Sequence, residues 1–292
     1  MATLRDIRRR IGSVGNTMQI TNAMKMVSTA KLNRAQTAVR AAQPYAEVLR
    51  QMVTSISAGL TGDDHPLLTR REGGKTLVVL FTSDRGLCGA FNANLNKLLL
   101  RQLMGNAQMT DPELIVFGRQ GNEFFRRRGY TIRQSILNAV EAEKAGHIRK
   151  VLSASREQFI AGDVGRVFLA YNHFNSAINQ EPRVVQLLPI EPPAAAEGEP
   201  AAAASRDQRE TLFEPSREAV LDQLLPNYLE NQCFLAHLNT EAGEHGARMV
   251  SMDGATRNAG EMIKRLTLQM NKARQAAITK ELIEIVNGAQ AL

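Results

Sequence analysis

The sequence contains few of the residues from which metal, redox and stacking sites are built. It has no tryptophan, and only 5% of its 292 residues are aromatic. Its two cysteines, Cys88 and Cys233, lie in separate segments, and its five histidines form no ligand cluster. Because zinc sites and disulfide frameworks need such residues at characteristic spacings, we expect neither. We expect both thiols to be reduced, as in a cytosolic protein.

Long apolar runs are absent as well. The N-terminal sequence MATLRDIRRRIGSV lacks the apolar core of a signal peptide. Its arginines lie on the polar face of a predicted helix, which is not typical of a transit peptide. No segment reaches the roughly 18 apolar residues that a membrane span needs. We therefore expect a chain without a targeting peptide or a membrane-spanning helix.

Both ends of the chain carry a long helical repeat. From Leu4 to Ile56, thirteen of the sixteen positions at alternating three- and four-residue spacing are apolar, and the same spacing runs from Leu224 to Ala277. A 3.5-residue repeat of this length is typical of a left-handed coiled coil. The two ends, residues 1–58 and 208–292, are therefore predicted to pair as one antiparallel coiled coil.

The N-terminal helix carries a second apolar signal where its repeat becomes polar, at Thr21, Lys25 and Ser28. There, apolar residues occupy the other faces of the helix: Ile20, Ala23, Met24, Met26 and Val27. A helix that is apolar on all sides is usually buried on all sides. This part of the coiled coil is therefore predicted to be enclosed by other protein.

Four glycines lie in the interior of the predicted C-terminal helix, well before its end: Gly243, Gly246, Gly254 and Gly260. Each costs about 1 kcal/mol relative to alanine in a helix interior. One explanation is that a neighbouring surface approaches the helix closely. The other is a helix that is weak or broken near residues 243–246.

The middle segment, residues 75–190, alternates strand and helix signals. Strands are predicted at residues 75–83, 113–118, 130–133, 166–174 and 183–190, the last two as a hairpin. Helices are predicted at residues 89–104, 120–128 and 141–160. This alternation predicts a small Rossmann-like α/β domain inserted between the coiled-coil helices. The segment 191–207, rich in alanine, glutamate and proline, is predicted to be a flexible linker.

Positive charge is concentrated near the N-terminus. The net charge is +7, and residues 1–50 contain nine basic residues against Asp6 and Glu47. Three explanations remain open: a solvated coiled-coil face, a surface that binds nucleic-acid phosphates, and one that attracts acidic loops of a protein partner. The scarcity of aromatic residues in the helices argues against single-stranded nucleic acid, which stacks on them.

Two segments of the middle region resemble phosphate-binding loops. Gly74-Lys75-Thr76 matches the end of a Walker A motif, but Thr69 stands where the first glycine should be, and the segment precedes a strand. Residues 83–92 (SDRGLCGAFN) follow a strand and open a helix, but they contain only two glycines, three apart. We favour a tight strand-to-helix turn that needs glycine, with a nucleotide-binding α/β enzyme as the alternative.

Three stretches resemble one known family. They are IRRRIGSVGNTMQITNAMKMVSTAKLNRAQ, SDRGLCGAFN and EHGARMVSMDGATRNAGEMIKRLTLQMNKARQAAITKELIEIVNGAQAL. In this order, and over the whole chain, the sequence is similar to the gamma subunits of rotary F-type ATP synthases. It lacks the cysteine-bearing insertion of the chloroplast members, so thiol control is not expected. Pro226 is expected to interrupt the early C-terminal helix and to kink it.

The resemblance implies a function. It implies a non-catalytic central shaft inside a ring of three alpha and three beta subunits, coupling rotation of the ion-driven c-ring to ATP synthesis on the beta subunits. It places the α/β domain against the c-ring and the epsilon subunit, and it implies no cofactor and no nucleic acid. An initiator methionine without a presequence favours a bacterial protein, peripheral on the cytoplasmic side of the plasma membrane. The alternatives are the nucleotide-binding enzyme and a basic coiled-coil nucleic-acid binder.

The resemblance also implies contact residues. Those implied to contact the alpha and beta subunits are Met24, Lys25, Arg248, Gln275, Thr279, Ile285, Val286 and Leu292. Those implied to contact the c-ring are Lys31, Arg34, Phe213 and Glu214. The ammonium of Lys25 is expected to lie near carboxylates of the surrounding ring, and to extend into solvent when the chain is alone.

Overall fold

The computed structural model describes residues 3–57, 65–71, 73–191 and 216–290. Its helices and strands, in chain order, are α1 (Leu4–Ser57), β1 (Lys75–Phe81), α2 (Phe91–Gly105), β2 (Pro112–Phe117), α3 (Arg119–Arg126), β3 (Thr131–Ile136), α4 (Glu141–Ala161), β4 (Val164–Phe174), β5 (Gln180–Leu188) and α5 (Arg217–Gln290). The predicted fold class, in which an α/β domain is inserted between two long terminal helices, is therefore confirmed. The predicted linker lies almost entirely outside the described residues.

The described residues divide into two compact units. One, here called the helical unit, consists of residues 3–30 and 248–290. The other, here called the α/β unit, consists of the described residues between 31 and 247. Each long helix therefore contributes one end to the helical unit and the other end to the α/β unit. Among the described residues, no helix is both long enough and apolar enough to cross a bilayer.

The α/β unit is built on one five-stranded sheet with the order β3-β2-β1-β4-β5. Strands β1 to β4 are parallel, and β5 returns antiparallel to β4. The predicted hairpin is therefore confirmed. Strand β5 begins three residues before the predicted position 183 and includes Pro182. An edge strand tolerates proline because its missing N–H would point away from the sheet.

The two faces of the sheet are covered by different helices. In β1 the alternate residues Leu77, Val79 and Phe81 join a core with α1, α4 and α5. Val78 and Leu80 point to the opposite face and pack with α2 and α3. A strand buried on both faces reads as a continuous apolar run, which is why the sequence revealed β1 clearly.

Helix α5 is enclosed where it crosses the α/β unit. From residue 235 to 247 every residue is buried or half-buried. A Cβ atom on Gly243 would lie 2.8 Å from Cε2 of Phe91, and one on Gly246 would lie 3.1 Å from Cα of Ala177. Close approach therefore explains these two glycines, and the alternative of a broken helix is wrong. At Gly254 a Cβ would meet nothing within 4 Å, so close approach does not explain that position.

The expected interruption at Pro226 is also wrong. Helix α5 continues through Pro226, just as α1 continues through Pro44. Pro226 lies in the third turn of α5, where the ring removes one backbone hydrogen bond. Leu225 and Leu229 on either side are buried in the core. Tertiary packing of this face offsets the lost bond and keeps the helix intact.

Candidate functional site

The helices of the helical unit run antiparallel and are joined by polar contacts. The Oγ1 atoms of Thr21 and Thr256 are 2.8 Å apart. The Nζ of Lys25 donates to Oδ1 of Asp253 at 2.6 Å. A Cβ on Gly260 would lie 3.9 Å from Sδ of Met18. In all three pairs the residue numbers rise on one helix as they fall on the other, as an antiparallel coiled coil requires.

The outer face of α1 in the helical unit is unusually apolar. Ile20, Met26 and Val27 are 61%, 61% and 58% exposed. Meanwhile the repeat positions Ile7, Thr21 and Ser28 are buried. The second apolar signal in the sequence therefore corresponds to a surface that the described residues leave exposed. A contiguous exposed apolar surface of this kind marks a site of protein contact.

A second exposed apolar surface lies near the end of α5. It consists of Leu268, Ile278, Leu282, Ile283, Ile285 and Val286, all at least 50% exposed. Ile285 and Val286 are two of the residues that the sequence comparison with the known family singled out. Leu292, the third terminal residue, lies outside the described residues. Here too, within the part of the chain that the structure describes, large apolar side chains are left exposed.

The polar candidates on α5 differ in accessibility. Gln275 and Thr279 are exposed, and the Thr279 hydroxyl donates to the backbone oxygen of Gln275 at 3.0 Å. Arg248, by contrast, is only 6% exposed. The structure therefore presents Gln275 and Thr279 at the surface, whereas most of the Arg248 side chain is covered.

The remaining candidates lie elsewhere on the chain. Met24 and Lys25 are half-buried on α1 in the helical unit, and Lys31 and Arg34 are exposed on α1 at the start of the α/β unit. Phe213 and Glu214 lie outside the described residues. The candidates that the structure describes lie at separate positions along α1 and α5, as expected for protein contacts.

The expectation that Lys25 extends into solvent in the free chain is wrong. Its ammonium pairs with Asp253 of the same chain, and Asp253 also lies 3.3 Å from a guanidinium nitrogen of Arg257. The hydrogen bond from Lys25 lowers the pKa of Asp253. Sequence reasoning missed Asp253 because its partner is far away in the chain and because a single carboxylate on a helix resembles a solvated charge.

The strand-to-helix turn at residues 83–92 is held by its own side chains. The backbone N–H of Ser83 donates to Oδ1 of Asn92 at 3.1 Å, and Nδ2 of Asn92 donates to Oγ of Ser83 at 2.7 Å and to Sγ of Cys88 at 3.2 Å. Oδ1 of Asp84 accepts two backbone N–H bonds at 3.0 and 3.1 Å. Ser83, Cys88 and Asn92 therefore bond to one another within a tight turn, as the sequence favoured. The two bonds to Asp84 come from Arg119 and Asn138, outside the turn.

The chain also fills the crevice where α/β sheets of this type bind ligands. That crevice lies beyond the carboxyl ends of β1 and β4, where the strand order reverses. Gly243 of α5 packs on Phe91, the first residue of α2, and Gly246 packs on Phe174, the last residue of β4. The backbone N–H of Phe174 donates to Oδ1 of Asn239 at 3.1 Å. Helix α5 therefore occupies the space that a nucleotide would need.

The two cysteines are shielded. They do not form a disulfide. Cys88 and Cys233 are 2% and 0% exposed, and burial raises the pKa of the Cys233 thiol. The reactive thiolate form of Cys233 is therefore disfavoured at neutral pH. In the described part of the chain, the histidine, cysteine and acidic side chains form no group of three suited to hold a metal ion.

We expect both thiols to be protected in the folded chain. A thiol-specific reagent should label Cys88 and Cys233 slowly under native conditions and rapidly after denaturation, because only unfolding exposes them. Asn16→Cys, at an exposed position of α1, provides the accessible control. Native labelling of either natural cysteine as fast as the control would contradict the prediction.

Comparison with known proteins gives a consistent result. The ATP synthase family model matches residues 3–292. The chain is 46% identical to the ATP synthase gamma chain of Pelotomaculum thermopropionicum, over 100% of both chains. It is 50% identical to the ATP synthase gamma chain of an Anaeromyxobacter species, again over 100% of both.

Solved structures share the fold at lower identity. A rotor chain of Euglena gracilis mitochondrial ATP synthase matches with a TM-score of 0.66 and 20% identity, covering 94% of this chain and 98% of that one. A chain of the central stalk and c-ring of the Tetrahymena thermophila mitochondrial ATP synthase gives a TM-score of 0.59 and 23% identity, covering 81% and 99%. At these identities the likeness establishes the fold.

Proposed function

Because the chain belongs to the family of ATP synthase gamma chains, we propose that it is the central rotor shaft of an F-type ATP synthase. As a gamma chain it is a non-catalytic subunit, and the phosphate chemistry takes place on beta subunits. Its task is mechanical: it couples rotation of an ion-driven c-ring to ATP synthesis. The filled crevice of the α/β unit agrees with this assignment and argues against the nucleotide-binding enzyme.

The apolar outer surface of the helical unit is the observation that supports this function most directly. A free, solvated coiled coil gains nothing from exposing Ile20, Met26 and Val27. A shaft inside a ring of three alpha and three beta subunits would bury them. Within that ring, Met24 and Lys25 would meet one set of subunit loops. Ile285 and Val286, with Leu292 beyond the described residues, would turn in an apolar bearing.

The polar contacts of the shaft are proposed on α5. Gln275 and Thr279 are exposed and offer amide and hydroxyl groups to a beta-subunit loop. Arg248 is assigned to the same loop; because it is largely buried, its contact is limited to the small part of the side chain that reaches the surface. Of the three, Gln275 and Thr279 are therefore the better placed.

The α/β unit is proposed to contact the c-ring and the epsilon subunit. Lys31 and Arg34 are exposed on α1 and could attract acidic groups of c-ring loops. Phe213 and Glu214 are assigned to the same contact from the sequence alone. The assembly is membrane-bound, and we place this chain on the cytoplasmic side of a bacterial plasma membrane, held there through its partners.

The proposed function is tested by assembly. Mixing the chain with its cognate alpha and beta subunits should give a complex that purifies as one species and hydrolyses ATP. The isolated chain should not hydrolyse ATP. Nucleotide binding by the isolated chain would favour the enzyme instead, and steeply salt-dependent binding to DNA or RNA would favour a nucleic-acid binder.

A variant of the apolar surface sharpens this test. Val27→Asp puts a charge on the surface proposed to be enclosed, so assembly with alpha and beta subunits should weaken on the order of tenfold, equivalent to ~1.4 kcal/mol. Gln43→Asp adds the same charge at an exposed position of α1 that lies sixteen residues further along the chain, in the α/β unit, and it should assemble normally. Equal assembly of the two variants would show that the apolar surface is not the contact.

A further inference from the structure

Lys25 and Asp253 form a cross-helix ion pair inside an otherwise apolar repeat. The pair is at 2.6 Å, and its side chains are 39% and 36% exposed. One turn away the Thr21 and Thr256 hydroxyls meet at 2.8 Å. These four residues are here called the polar clasp. Their two contacts are the directional bonds that join the helices of the helical unit among the contacts described above.

The sequence makes this pairing unique over a long stretch. Between residues 11 and 30 of α1, Lys25 is the only charged residue. Between residues 245 and 260 of α5, Asp253 is the only acidic one. Sliding one helix by about a turn would therefore bring Lys25 opposite Arg257 or an uncharged residue. Every such slip loses the ion pair, and one replaces it with like-charge repulsion.

The clasp is better suited to specify alignment than to add stability. A half-exposed ion pair is screened by water and contributes little to folding. The surrounding apolar contacts are non-directional, and small residues such as Ala259 and Gly260 offer little resistance to sliding. In coiled coils, a polar layer at a single level is the usual device for fixing register.

We propose that Lys25 and Asp253 act as positioning residues, which fix the register of the two shaft helices and so keep the outer surfaces of α1 and α5 aligned for their partners. This inference rests on the proposed rotor function, because a shaft delivers torque faithfully only if its two helices turn as one body. Asp253 thereby gains a role that the sequence had not suggested, and Lys25 gains a partner within its own chain.

The register can be read directly with a cross-link. Thr21→Cys with Thr256→Cys places two sulfurs where the hydroxyl oxygens now lie 2.8 Å apart, close enough for a disulfide in the native register alone. In this background, Asp253→Lys or Lys25→Glu should slow cross-linking severalfold in the full chain. The combined charge exchange should restore it. Exchanging Arg265 and Glu261, an ion pair within α5, is the matched control and should have no effect.

The same charge variants, with both threonines native, are then assembled with alpha, beta and the remaining subunits, and the ratio of ATP synthesis to ATP hydrolysis is measured. Asp253→Lys and Lys25→Glu should each lower this ratio by at least half, and the combined charge exchange should restore it. Unchanged cross-linking in the single variants would overturn the proposal. Recovered cross-linking without recovered coupling would also overturn it, since Lys25 would then act on a partner and not on register. Failure of the wild-type chain to support hydrolysis would instead overturn the rotor function.

Discussion

Replacing Gly118 by alanine is expected to destabilise the α/β unit by roughly 3 kcal/mol or more, because two penalties coincide. Gly118 follows β2 with φ at +99°, a conformation that side chains rarely adopt. A Cβ at this position would also lie 2.7 Å from the carbonyl carbon of Thr82. That obstacle is backbone, fixed by the bond from the Thr82 N–H to the oxygen of Phe117 at 2.8 Å, so it cannot move aside.

Gly129 supplies the control for this prediction. It also has a positive φ, +77°, but a Cβ there would meet nothing within 4 Å. Gly129→Ala should therefore cost only the conformational term, about 1–2 kcal/mol. Denaturant unfolding of the full chain, followed by circular dichroism, measures both variants. Equal losses at the two positions would show that the close approach to Thr82 contributes nothing.

Replacing Gly243 by leucine is expected to destabilise the same unit by ~2–3 kcal/mol, the usual cost of overpacking a core. A Cβ at this position would already lie 2.8 Å from the Phe91 ring and 3.3 Å from Cγ of Gln180, and a leucine extends further. Phe91 is 4% exposed and has little room to withdraw. The substitution should therefore push α5 out of the crevice at the ends of β1 and β4.

The control lies on the same helix. Gly254→Leu adds a side chain where a Cβ meets nothing within 4 Å, and it removes a glycine from a helix, so it should be neutral or stabilise by up to ~1 kcal/mol. Hydrogen exchange of amides at residues 174–180 and 91–95 reports directly on the crevice. If Gly243→Leu left both stability and exchange unchanged, the packing of α5 in this crevice would not be required by the fold.

Local pattern predicted most of the fold. The long repeats of α1 and α5, the continuous apolar run of β1 and the turn residues before β5 each specify an element through the periodicity of its own side chains. The element types in the middle segment were therefore predicted correctly, including a short third strand. The resemblance of three sequence stretches predicted the family, because the two terminal stretches are long and all three occur in the order found in that family.

The sequence by itself thus determined which segments are helix and strand and which face of α1 is buried. It also indicated which apolar side chains of α1 are available for contact with another protein. Only the tertiary structure decided that Lys25 forms an ion pair with Asp253, which lies 228 residues away in the sequence. It also decided that other residues pack closely against Gly243 and Gly246, and that α5 continues through Pro226. The physical reason is the range of the forces involved. Helix and strand periodicity is encoded within a few residues, whereas an ion pair or a close backbone approach exists only after distant segments have packed together.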